Sequence, residues 1–107
     1  MAEAETRLGV TLPGWLRAMY RAADGRFNAA GQWWVVWSLE RLVADTLRAW
    51  GDGTLDRNLV AFGDDGAGNP FCVNSAVESP VMRWSFIGSE VEGELSLDQF
   101  EAEWLEG

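Results

Sequence analysis

Apolar residues recur at helical spacing in several stretches of the chain. Leu12, Trp15, Leu16, Met19, Tyr20 and Ala23 fall on one face of a helix. Arg17 and Arg21 stand one turn apart on its other face. Pro13 suits the first position of that helix, where a missing N–H is harmless, and Asp24-Gly25 ends it. A shorter helix precedes it, Ala2 to Leu8, closed by Gly9. Ser38 reads as the N-cap of a third helix carrying Leu39, Leu42, Val43, Leu47 and Trp50, with Gly51 after its end. Ser96-Leu97-Asp98-Gln99 matches a capping box, which predicts a last helix with Leu97, Phe100, Trp104 and Leu105 facing inward.

Between these helices the pattern changes to short apolar runs, which predict strands. Gln32 to Trp37 is one, and Trp33 and Trp34 in it point to opposite faces, so one of them faces away from the main core. Leu59 to Phe62 and Phe71 to Val73 flank eight residues made only of Gly, Asp, Ala, Asn and Pro, and so predict a hairpin. Three glycines there, Gly63, Gly66 and Gly68, imply several backbone positions with positive φ. Val81 to Phe86 follows Pro80 as a further strand, with Arg83 on the face of Val81 and Ser85, and Met82, Trp84 and Phe86 on the other. Glu90 to Glu94 reads as an edge strand whose charges discourage unwanted pairing. If it is extended, Glu90, Glu92 and Glu94 line one face. Helices at both ends of a run of strands predict an α+β fold, an antiparallel sheet with N-terminal and C-terminal helices packed against it. At 107 residues, 1–107 reads as a single domain without internal repeats.

Charge changes the picture more than overall composition does. Residues 1–57 hold seven arginines and seven acids, whereas residues 58–107 hold Arg83 alone against ten acids. The whole net charge of −9 therefore belongs to the second half. Such a balance argues against nucleic acid, whose phosphates need basic side chains, and against docking on anionic lipid. It favours a basic protein partner, whose approach a concentrated negative surface would steer. Seven tryptophans supply large apolar areas for the core, and each brings an indole N–H that wants an acceptor. Cys72 has no partner for an intrachain disulfide and reads as a small hydrophobe within a strand. The opening Met1-Ala2-Glu3-Ala4-Glu5 is acidic where an export signal would be basic, so the expected location is cytoplasmic.

Leu8-Gly9-Val10-Thr11-Leu12-Pro13, the Asp24-Gly25 stop, the glycine-rich hairpin, the Pro80-Val81 strand start and the short C-terminal helix together resemble the SUKH superfamily. That group consists largely of bacterial toxin-immunity proteins and includes a yeast cell-wall assembly regulator. The resemblance covers most of the chain. It implies a protein-interaction domain whose partner is a cognate toxin, often a basic nuclease, bound stoichiometrically. The alternative it leaves open is a regulatory module acting on a cellular protein, for example in cell-wall synthesis. Family members commonly carry a Gly-Asp pair in the hairpin; here Gly68 is followed by Asn69 and Pro70, so that carboxylate is missing.

The residue inventory argues against catalysis. The chain has no histidine and no lysine, which removes the usual general base, the Schiff-base amine and the commonest transition-metal ligand. Cys72 has no histidine to activate it, and no phosphate-binding glycine motif is present. Asp64, Asp65 and Asn69 could reach a cation from one loop, but the spacing of a calcium-binding loop is absent. The expectation is a binding protein without cofactor or metal. Glu90, Glu92 and Glu94 are the first candidates for partner contact, followed by Asp64 and Asp65. Gly63, Gly66, Gly68 and Asn69 are expected to shape the loop, and the Asp64 and Asp65 side chains to accept backbone N–H bonds within it.

Overall fold

A computed structural model of the chain describes residues 2–27, 33–67, 69–74, 81–85 and 90–105. Its centre is a six-stranded antiparallel meander with strand order equal to chain order. The strands are β1 (Arg26–Phe27), β2 (Trp34–Val36), β3 (Leu59–Asp64), β4 (Pro70–Asn74), β5 (Val81–Ser85) and β6 (Glu90–Leu95). Helices α1 (Ala2–Leu8) and α2 (Gly14–Ala22) precede the sheet, and α3 (Leu39–Asp52) separates β2 from β3. Helix α4 (Leu97–Phe100) runs directly into a wider π-helical turn, Glu101–Leu105. The expected α+β class is observed.

Local chemistry explains most of the boundaries. Ser38 caps α3 by accepting the Arg41 N–H, as expected. The end of α3 lies two residues later than the sequence pattern suggested. Gly51 is inside the helix, and Gly53 ends it in the left-handed region at φ 73°. Pro13 stands just before α2 as its N-cap, one position earlier than expected. The capping box of α4 is complete, with Ser96 and Gln99 bonding each other's backbone N–H. Strand β1 has no forerunner in the sequence pattern, since it is only two residues long. Gln32 and Phe86, expected in strands, lie outside the described residues.

One face of the sheet carries an aromatic core. Phe62, Phe71 and Phe100 are fully buried, and each such side chain contributes about 1.5–3 kcal/mol. Phe100 stands edge-on to both sheet phenylalanines, with centroids 5.6 Å and 4.9 Å away. Trp15 of α2 meets Phe62 at 5.7 Å, and Trp104 meets Phe71 at 5.1 Å. The N-terminal and C-terminal helices thus share one cluster.

Helix α3 has a different relation to the sheet. Strand β2 pairs with β3 only at Val36 and Gly63, which leaves outward backbone groups further along β3 without a strand beside them. The Thr46 hydroxyl takes that place, donating to the Ala61 carbonyl at 3.1 Å and accepting the Ala61 N–H at 3.2 Å. One turn on, the Trp50 indole donates to the Leu59 carbonyl at 2.9 Å. Helix α3 therefore seals the edge of β3. This is why Thr46 is fully buried while Leu47, expected to face inward, is 36% exposed. Apolar spacing alone cannot show that the inward position must bear a hydroxyl.

Of the three hairpin glycines, Gly66 has the expected positive φ, 82°, and Gly68 lies outside the described residues. Gly63 departs from expectation. It lies within β3, where a Cβ would come 1.7 Å from the Val35 carbonyl oxygen. The glycine is needed for close approach of two backbones.

Thr46→Val should lower stability by about 2–4 kcal/mol in urea denaturation, because it strands both polar groups of Ala61; Thr46→Ser, which keeps the hydroxyl, should cost about 1 kcal/mol. Gly63→Ala should cost about 3 kcal/mol or prevent folding, whereas Gly51→Ala, in α3 with open space around its Cβ, should stabilise by about 0.5–1 kcal/mol in the same assay.

Candidate functional site

The hairpin tip is held by its two aspartates. Asp64 ends β3, and its carboxylate accepts the Trp37 indole N–H at 2.8 Å and the Gly66 N–H at 2.8 Å. Its main-chain carbonyl accepts the Trp33 indole N–H at 3.2 Å, and the Trp33 ring packs against Gly66. Asp65 accepts the N–H groups of Ala67 and Asn69 through one oxygen and the Asn69 side-chain amide through the other. Both carboxylates thus serve the loop, the role expected for them. Asn69 is the loop residue that returns these bonds, also accepting the Asp65 N–H on its carbonyl.

Beside this tip lies a cleft of about 290 Å³ whose charged lining includes Arg41, Asp45, Arg48 and Asp64. Arg41 bonds Asp45 at 3.1 Å, lies 3.8 Å from Asp64, and stacks its guanidinium 4.3 Å above the Trp37 ring. Arg48 bonds the other oxygen of Asp45 at 3.2 Å. These charges satisfy one another across the seam between α3 and the hairpin. The arrangement fastens the loop to the helix.

The single thiol and the single phenol of the chain are shielded. Cys72 is fully buried in β4, and burial pushes its thiol far above the ordinary range. The Tyr20 hydroxyl donates to the Trp37 carbonyl at 2.8 Å, and burial, with a smaller push from Asp24, raises it likewise. Among the described residues, no three acidic, cysteine or histidine side chains are grouped to hold a metal ion, and no helix is long and apolar enough to cross a membrane.

The remaining acids of the second half whose side chains are described, Glu94, Asp98, Glu101 and Glu103, lie on β6 and the helical segment after it. Strand β6 is the terminal strand, and Glu94 on it is exposed. Asp98 and Glu103, on the helical segment that follows, are also exposed, and Glu101 is half-buried. A depression of about 210 Å³ brings Glu94 and Glu103 to one place with Arg83, Leu95 and Trp104. Glu103 was absent from the sequence-derived candidates, although its position one residue before inward-facing Trp104 signalled an outward side chain.

The regular alternation expected for Glu90, Glu92 and Glu94 is interrupted. Glu94 is in register with Met82 and Gly93 with Arg83, but Val91 is in register with Trp84 and Glu90 with Ser85. Glu92 is the extra residue of a bulge, so Glu90 and Glu94 pair with β5 positions of opposite parity. A single shared face for the three positions does not follow from this backbone. The side chains of Glu90 and Glu92 lie outside the described residues.

Asp64→Asn should lower stability by about 1–3 kcal/mol in thermal or urea unfolding, since an amide cannot accept both N–H bonds and keep the charge facing Arg41. Glu103→Gln, at an exposed position, should stay within about 0.5 kcal/mol of the parent.

Residues 1–106 match the model of the SMI1 / KNR4 family (SUKH-1), and the chain belongs to that family. The family includes immunity proteins and cell-wall regulators, and membership points to protein–protein interaction in general. No curated protein matches the chain.

Proposed function

We propose that this chain is an immunity protein that neutralises a cognate toxin domain, a basic one of nuclease type, by binding it one to one. The observation that supports this reading is the placement of exposed acid. Asp64 and Asp65 are taken up by the hairpin, while Glu94, Asp98 and Glu103 stand exposed on β6 and the helix after it. Glu90 and Glu92 belong to the same terminal strand. Such an edge suits a basic surface, raising the association rate and penalising acidic competitors. Asp64 and Asp65 contribute by fixing the shape of the hairpin, not as free charges.

The role has no catalytic step. A chain without histidine or lysine, whose one thiol is buried, is suited to block an active site by occupying it. The partner is protein, with neither nucleic acid nor membrane as target, and the setting is the cytoplasm of the toxin-producing cell.

The test uses the basic toxin domain that this reading expects a neighbouring gene to encode. The triple variant Glu90→Gln, Glu92→Gln, Glu94→Gln should bind it about ten- to a hundredfold more weakly near 0.1 M salt, with a flatter salt dependence, by calorimetry or biolayer interferometry. Unchanged affinity at low salt would remove the acidic edge from the interface. Capture of a resident cellular protein in cells lacking any toxin gene would instead support the regulatory role.

A further inference from the structure

The two outer strands of the sheet carry opposite charge. At one end, both residues of β1 are exposed. Phe27 and Trp34 are 46% and 41% exposed and stack on each other, with ring centroids 3.8 Å apart and planes 24° from parallel. Arg26 in β1 is exposed there, Arg21 in the last turn of α2 is exposed as well, and among the described residues neither makes an ion pair. At the other end β6 carries Glu90, Glu92 and Glu94, and Val91 between them is 40% exposed. Basic and aromatic at one edge, acidic with an exposed aliphatic at the other: each edge has what the other lacks.

We infer that the chain associates with further copies of itself head to tail, the β1 edge of one molecule against the β6 edge of the next. Outer strands are templates for pairing, and acidic positions oppose self-pairing between two copies of β6. Pairing β1 with β1 would set Arg26 against Arg26. Only the mixed contact sets Arg26 against carboxylates and covers Phe27 and Trp34 with Val91. The contact is heterologous, so every open assembly keeps one free edge of each kind. The net charge of −9 opposes association over long range. Near 0.1 M salt, however, charges more than about 10 Å apart are largely screened while those in contact are not. The inference does not rest on the toxin-binding role. If both hold, a basic partner and a second copy compete for β6.

Sedimentation velocity of the full chain tests this from micromolar to near-millimolar concentration. The expected result is an average mass that grows with concentration at about 0.1 M salt and falls back at about 1 M. Phe27→Ser with Trp34→Ser should weaken association at least about tenfold, and so should Val91→Lys with Glu94→Lys. Mixing those two variants restores one intact contact, so the mixture should form a species of twice the monomer mass and nothing larger. A parent chain that stays monomeric throughout overturns the proposal without needing any variant. So does a mixture that stays monomeric while the parent associates, since the one intact edge of each variant is all that a β1–β6 contact needs. Self-association of either variant alone would show that like edges pair. Loss of toxin binding by the first variant would place the toxin on β1 instead and so overturn the acidic-edge reading, while leaving the self-association result to stand by itself.

Discussion

Strand β3 finds its hydrogen bonds on one side in β4, but along most of the other side a helix supplies them. Because β2 meets β3 at a single residue pair, Ala61 and Leu59 would present bare backbone to the interior. An unsatisfied buried amide or carbonyl costs about 1–3 kcal/mol, comparable to a large share of a small domain's net stability. Thr46 and Trp50 remove that cost and in doing so fix the height and rotation of α3 along the strand. The loop that leaves α3 is then placed as well. The Trp50 indole also bonds the Asp56 carbonyl, and the Trp84 indole reaches from β5 to the Thr54 carbonyl.

The hairpin is organised around the next residues of the same strand. Asp64 joins the loop to the segment before α3 through Trp37, and Arg41 joins it to the helix itself. A loop tied at so many points keeps its shape before a partner arrives, which spares the ordering cost that a mobile loop would incur on binding. Asp45, Asp64 and Asp65 are engaged within the cleft and tip, whereas Glu94, Asp98 and Glu103 are exposed. This division between acid that builds the fold and acid left exposed is not visible in a count of residues.

Much of the architecture was legible because helix spacing, caps and glycine stops agree with one another. Ser38, Gly9 and the Ser96–Gln99 box mark boundaries through local hydrogen bonds that depend on few distant residues. What was not legible depends on tertiary proximity. Nothing near Thr46 in the chain says that the Ala61 backbone will lie against it. Gly63 reads as a turn residue until Val35 is brought beside it. The two-residue β1 exists only because β2 is there to pair with it. At the candidate site, the sequence located the acidic segment but not the bulge at Glu92, since a bulge is a property of two strands compared and period-two reading assumes it away. The family match agrees with the resemblance drawn from the hairpin and the flanking stops.

The indoles offer a consequence of a different kind. Trp33 and Trp37 bond the end of β3, Trp50 bonds its beginning, and Trp84 bonds the loop after α3. These N–H groups thus end on three joints of the fold, two of them together at Asp64, while Trp34 stands exposed on the surface. In an NMR spectrum of the indole resonances alone, the hairpin tip, the helix–strand seam and the outer edge would report separately. The protein carries its own set of position-specific sensors, and hydrogen exchange at those few sites would show which joint opens first.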